Sequence, residues 1–366
     1  MIYDRVLAEL KENKALRESG KEIAIPWLNL PKLSSVIPGI QKGRYYLISA
    51  NSKVGKTQIA DYLFLYEPLN YIFNTPNTQL KLKIFYFSLE MSKEDKILQM
   101  ISNKIYKDKG IIISTDNLRS YFNGYILPNQ AVQYIESCRE YFEWVETVVT
   151  FIDKTRNPFG IYNTVRQYAK DNGKFYRNDG TLVTMIGTDT LYDYYQPHDP
   201  NEQVIVITDH VSLLTPEKDD DLHKTMSTFS TDYCLKMRDN FKYTVVNVQQ
   251  QAASSERQQF SMVSNKLAID KLRPTAEELG DNKLTSRDVD IMIGLFAPHR
   301  YKIKTYAGYD ISKLKDNYRE LSIILNRRGP STSLDLYFEG ASNYFRELGK
   351  DEFRAEQSPG FNINEE

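Results

Sequence analysis

The eight residues from Ala50 to Thr57, ANSKVGKT, follow the apolar run YYLIS and combine small side chains, a glycine, a lysine and a hydroxyl. These types at this spacing suit phosphate chemistry. Small residues let successive backbone N–H groups converge on oxygen atoms, a lysine reaches the outer phosphates, and a Ser or Thr at a helix start offers its hydroxyl to Mg²⁺. Gly55, Lys56 and Thr57 fill the last three roles, while Ala50, Ser52, Lys53, Val54 and Gln58 complete the cradle. Ala50 departs from the usual pattern, in which glycine opens the loop because φ is positive or the backbone must come close. The competing reading is a surface loop that happens to contain GKT.

A phosphate loop that hydrolyses a nucleotide needs an acid at the end of another buried strand to hold Mg²⁺ or its waters. Asp209, which ends VIVITD, has that position. Glu90 ends IFYFSLE, expected by order of occurrence to lie beside the loop's own strand, where a carboxylate could polarise an attacking water. It could equally cap the helix starting near Ser92. Gln250, after the apolar VVNV run, is placed to contact a terminal phosphate, and Arg327 and Arg328 stand at a strand end before a Gly-Pro turn. A guanidinium there either completes a neighbouring subunit's site or is simply exposed.

The elements that must position these residues follow a strand–helix rhythm. GRYYLISA, LKIFYFSLEM, TVVTFID, EQVIVITDHVSLL, NFKYTVVNVQQ, DVDIMIGLFAP, ELSIILNRR and STSLDLYFEG read as strands. KTQIADYLFLY, SKEDKILQMISNKIY, AVQYIESCREYFEWV and PFGIYNTVRQYAKD read as helices, the second with Ser92 as cap. Continuous apolar strands imply burial on both faces, hence an α/β fold with a mainly parallel central sheet flanked by helices. Residues 1–22 form a charged helix with apolar positions at Val6, Leu7, Leu10 and Leu16 that needs a partner surface. Residues 23–348 form one domain, interrupted by an insertion at about 173–203 with a hairpin turn at NDG, and 349–366 form a polar tail.

At 366 residues, 41% hydrophobic and 26% charged, the chain can bury a large core. It has no run of eighteen apolar residues and no signal peptide, which points to a cytoplasmic protein without membrane contact. The two cysteines form no CxxC pair, so neither a disulfide framework nor a zinc site is suggested. A net charge of −1 excludes a strongly basic nucleic-acid binder but leaves room for basic residues confined to an inner surface.

Taken together, the blocks resemble the RecA-type motor domain of DnaB-family replicative helicases over roughly residues 22–346. That family's loop starts with Ala and reads approximately AARPSMGKT, so Ala50 fits it. FYFSLEMS is similar to the family's FFSLEMS and implies that Glu90 activates water. VIVITDHVSLL resembles IMIDYLQLM, which implies that Asp209 is the Mg²⁺-side acid alongside Thr57. VVNVQQQAASSERQ resembles VVALSQLNRSLEQR, with Gln250 on the sensor glutamine, and IILNRRGP resembles the block that puts Arg327 on the finger arginine. Ala253, Gly280 and Leu325 depart from the family's arginine, arginine and lysine, and Asp281 takes the place of a glutamate.

The resemblance implies a RecA-like P-loop NTPase that uses ATP or another NTP with Mg²⁺ and acts as a hexameric ring on single-stranded or forked DNA. It also implies a separate primase or loader as partner, and the bacterial host cytoplasm as location if the chain is phage-encoded. Only about forty residues precede the loop, so the family's N-terminal scaffold is expected to be missing, with the first helix docking on an adjacent subunit. DNA contact is expected in the loop after the Gln strand, at Arg257, Lys266, Lys271 and Arg273, because the loop after the Asp strand is acidic. Two other readings stay open: a RecA-like recombinase or filament-forming strand-binding ATPase, and a nucleotide-binding structural or regulatory relative without unwinding.

Overall fold

The computed structural model describes residues 2–184, 191–217, 220–251, 272–279, 282 and 284–355. In chain order the strands are β1 (Tyr45–Ala50), β2 (Lys81–Ser88), β3 (Val149–Ile152), β4 (Gly173–Tyr176), β5 (Leu182–Val183), β6 (Tyr194–Pro197) and β7 (Glu202–Asp209). They continue with β8 (Thr244–Gln250), β9 (Ile291–Phe296), β10 (Thr305–Tyr306), β11 (Tyr309–Asp310), β12 (Tyr318–Asn326), β13 (Ser333–Glu339) and β14 (Tyr344–Glu347).

Every residue of β1 is buried, and its side chains alternate between two cores: Tyr46, Ile48 and Ala50 face one, Tyr45 and Leu47 the other. A strand covered on both faces needs no polar side, which is why YYLISA reads as an unbroken run. In β7 likewise, Ile205 and Ile207 go to the first core and Val204 and Val206 to the second. The nine-stranded sheet has the order β14-β13-β12-β9-β1-β8-β7-β2-β3. From β9 to β3 all pairs are parallel, whereas β12, β13 and β14 add an antiparallel edge.

This order corrects one expectation. The strand that ends near Glu90 does not lie beside the loop strand, because β8 and β7 stand between β2 and β1. Each later parallel strand crosses back into the gap, so proximity in sequence does not give proximity in the sheet.

A continuous helix runs from Lys56 to Asn74, widened over Tyr62–Tyr66, where the Glu67 N–H bonds back to the Tyr62 carbonyl. Pro68 follows at once and has no N–H to continue the regular ladder, so the wider turn carries the helix past it. The helix Lys93–Lys109 is capped by Ser92, whose hydroxyl accepts from the Asp95 N–H.

The NDG turn closes the β4–β5 hairpin with Gly180 at a φ of +88°, and β6 pairs with the other side of β4. The first helix, Ile2–Glu18, buries none of its residues; its Arg5 lies 4.0 Å over the Tyr194 ring and donates to Asn178. Among the described residues no helix is long and apolar enough to cross a membrane.

Candidate nucleotide-binding site

The loop between β1 and the Lys56 helix carries positive φ at two positions, Lys53 at 59° and Gly55 at 108°. Ala50 is not among them, since it is the last residue of β1 and pairs with Gln250 on one side and Leu295 on the other. In extended backbone an alanine is as good as a glycine, and the conformational freedom that glycine supplies is spent at Gly55 instead. Gly55 also starts the helix without a side-chain cap, which leaves the first-turn N–H groups to a ligand.

Two buried contacts hold the loop from below. Arg319 on β12 donates its Nε–H to the Val54 carbonyl at 2.7 Å, with its guanidinium 4.8 Å from the centre of the Phe338 ring. Burial pushes this guanidinium below the usual arginine value, with Asp316 opposing. Asn51 donates from Nδ2 to the Tyr301 hydroxyl at 2.9 Å.

On the cation side, Thr57 Oγ1 donates to Asp209 Oδ1 at 2.9 Å, and both residues are buried. The second Asp209 oxygen accepts from the Tyr86 hydroxyl at 3.2 Å and from Lys96 Nζ at 3.5 Å. Lys96 and Tyr86 also donate to Asp61, at 2.8 and 2.6 Å. Burial alone would lower the Lys96 ammonium, but Asp61 and Asp209 more than offset it and hold it above the ordinary lysine value. Asp61 sits one turn after Thr57 on the same helix face.

Sequence reasoning missed Asp61, Tyr86 and Lys96. A signal existed in Asp61, a lone charge inside the apolar stretch IADYLFLY.

The donor set fits Mg²⁺ better than a transition metal. Thr57 and Asp209 supply one hydroxyl and one carboxylate, and among the described residues no cluster of three or more His, Cys, Asp or Glu could hold a metal. Mg²⁺ is typically bound this way, through one or two protein oxygens, substrate phosphates and retained waters.

Glu90 comes just after β2, level with the tip of β7: Ser88 pairs with Asp209, and Leu89 N–H bonds to the Asp209 carbonyl at 2.8 Å. Its side chain is 51% exposed and lies 3.9 Å from His210 Nε2. The helix cap is Ser92, so Glu90 does not have that task.

The three glutamines after VVNV separate by role. Gln249 donates to the Asn282 carbonyl and Gln251 to Ser49 Oγ and the Thr275 carbonyl. Gln250, half-buried, alternates to the face that carries Val246 and Val248, the face on which the Lys56 helix packs.

Arg327 stands at the other end of the sheet. Asn326 is level with Ile291, and Ile291 with Tyr46, so Arg327 lies roughly 15 Å along the strands from Ala50 at about 3.3 Å per residue. It donates Nε–H to the Val289 carbonyl at 2.7 Å and a second N–H to the Arg287 carbonyl. Leu325, where the resemblance expects a lysine, packs against the second core.

Arg257, Lys266 and Lys271 lie outside the described residues, as do Ala253, Gly280 and Asp281. Arg273 is described, and its guanidinium pairs with Glu320 and donates to Ser322 within the same chain.

No family model and no curated protein matches the chain. Solved structures do. The ATPase domain of a phage DnaB-like helicase is similar over 95% of this chain and 99% of its own, at 19% identity and a TM-score of 0.67. A DnaB-like replicative helicase, solved with attention to its interactions with primase, is similar over 94% of this chain and 67% of its own, at 19% identity and a TM-score of 0.63. Over nearly its full length, the chain therefore carries the RecA-like fold of that phage ATPase domain and of that DnaB-like replicative helicase.

Proposed function

We propose that this chain is the motor subunit of an ATP-dependent, ring-forming DNA helicase that moves along single-stranded DNA and separates the duplex at a fork. The observation that carries this reading is the split between Lys56, Thr57 and Asp209 at one end of the sheet and Arg327 at the other. An arginine that cannot reach its own phosphate loop is placed to serve the loop of a neighbour.

In this reading the loop N–H groups and Lys56 hold the β and γ phosphates, and Thr57 and Asp209 hold Mg²⁺. Bound Mg²⁺ neutralises charge on the phosphoryl oxygens. Glu90 orients the attacking water and accepts its proton, Gln250 senses the terminal phosphate, and a neighbour's Arg327 stabilises the charge of the transition state. The helix Ile2–Glu18, with Ile2, Tyr3, Val6 and Leu10 exposed, docks on the adjacent subunit. Arg257, Lys266 and Lys271 follow the DNA backbone in the channel, and a separate primase or loader acts with the ring. Arg273 leaves this set because its charge is committed to Glu320.

The test combines forked-duplex unwinding and DNA-stimulated ATP hydrolysis with the assembly mass in the presence of nucleotide. Wild-type protein is expected to form a closed ring, hydrolyse ATP and separate strands, and Lys56→Ala to lose both activities. Glu90→Gln is expected to keep nucleotide binding while turnover falls by about a hundredfold or more. Strand separation that survives Lys56→Ala would sink the proposal.

Leu325 favours a second reading, a nucleotide-binding relative without unwinding, since it brings an apolar side chain into the core near Arg327. DNA-stimulated hydrolysis with no strand separation would select it.

A further inference from the structure

A buried lysine lies behind the acid assigned to Mg²⁺. Lys96 and Asp61 are both fully buried, and Asp209 nearly so. Lys96 Nζ is 2.8 Å from Asp61 Oδ2 and 3.5 Å from Asp209 Oδ2, and it lies 4.7 Å from the centre of the Tyr86 ring. The Tyr86 hydroxyl spans the same two carboxylates. Thr57 takes the remaining Asp209 oxygen, Oδ1.

We infer that Lys96, together with Asp61 and Tyr86, is a positioning device that fixes the Asp209 carboxylate so that only Oδ1 faces the phosphate loop. The inference rests on the nucleotide-binding reading above. A lysine paired with Asp209 alone would neutralise it and compete with the cation. Asp61 removes that conflict, because it cancels the lysine charge and draws the ammonium closer to itself. Asp209 keeps its own negative charge for the metal and its waters, while two donors on Oδ2 prevent the carboxylate from rotating. Groups that orient a metal-side ligand in this way commonly affect metal affinity or activity by about 10–100-fold.

The device also explains why two charges sit in an otherwise apolar layer between the Lys56 helix, β2 and the Lys93–Lys109 helix. For stability alone, a buried ion pair is often no better than apolar side chains of similar volume. Its cost is understandable if the geometry of Asp209 is what it serves.

The experiment uses the full chain with Lys96→Met, Asp61→Leu combined with Lys96→Met, and Tyr86→Phe. The readouts are thermal unfolding, binding of a fluorescent ATP analogue across a Mg²⁺ titration, and steady-state hydrolysis. Lys96→Met alone strands two buried carboxylates and is expected to melt well below wild type. The double substitution is expected to restore the melting temperature to within a few degrees. It should still need about tenfold more Mg²⁺ for half-maximal nucleotide binding, with kcat about tenfold lower at unchanged nucleotide KM. Tyr86→Phe should shift the Mg²⁺ requirement in the same direction by less.

A double variant that is folded and has the wild-type Mg²⁺ requirement and kcat would overturn the inference and leave the cluster purely structural. If the double variant does not fold, Tyr86→Phe decides: a wild-type Mg²⁺ requirement there overturns the positioning role. Wild-type protein that binds no nucleotide would instead overturn the functional reading, and this inference with it.

Discussion

Thr57 Oγ1 and Asp209 Oδ1 are joined by a 2.9 Å hydrogen bond between the first turn of the phosphate-loop helix and the tip of a strand two places away in the sheet. The bond fixes where a cation would enter. Asp209→Asn removes the charge while keeping the shape, and should reduce Mg²⁺-dependent hydrolysis by at least about a hundredfold, since metal charge stabilisation is worth several kcal/mol. Turnover measured against Mg²⁺ concentration checks this; an unchanged Mg²⁺ requirement would count against the assignment.

Arg327 sits too far from its own loop to act in cis. Arg327→Ala is expected to retain nucleotide binding and lose turnover by about a thousandfold, the scale of an arginine finger. Mixing it with Lys56→Ala subunits should restore part of the activity, because some interfaces then pair an intact loop with an intact arginine. Hydrolysis assayed across mixing ratios distinguishes this from a cis role, in which mixing restores nothing.

The loop glycine that matters is Gly55, at a φ of 108°, not the residue at position 50. Ala50→Gly should still bind nucleotide, with stability lower by roughly 0.5–1 kcal/mol from the added chain entropy. Gly55→Ala places a side chain in a strained backbone region and should lose nucleotide binding. Parallel titrations with a fluorescent nucleotide, together with urea unfolding, test both.

Arg319 supports the loop through the Val54 carbonyl, and it is almost fully buried. Arg319→Met leaves that carbonyl unsatisfied and should cost roughly 1–3 kcal/mol in urea unfolding. Nucleotide affinity should fall as well, although Arg319 touches no phosphate in the proposed site.

Burial pushes the Cys234 thiol up to about 12, and its sulfur accepts from Asn247 Nδ2 at 3.4 Å. Thiolate is the reactive form, so Cys234 should resist iodoacetamide at pH 8 in the native protein and react once the chain is unfolded in urea. Peptide mass spectrometry after labelling reads the result.

Much of this site was legible residue by residue. ANSKVGKT after an apolar strand announces phosphate binding, because small side chains, a lysine and a hydroxyl at a helix start are local requirements. Asp209 and Glu90 were visible as acids at the ends of apolar runs, and the continuous character of those runs declared a sheet buried on both faces. The period of burial is written along the chain, and so is the chemistry of each loop.

What tertiary structure alone decided is which of these residues meet. Strand order depends on where each crossover returns, so β8 and β7 came to lie between β1 and β2. The partners Asp61 and Lys96 are 35 residues apart, Thr57 and Asp209 are 152 apart, and Arg273 and Glu320 are 47 apart. No local pattern specifies such pairings, because each depends on two distant segments being packed against each other by the same core. The alanine that looked like a flaw in the loop followed the same rule: its type was visible in the sequence, but its extended backbone, which makes glycine unnecessary there, came from the two strands that flank it.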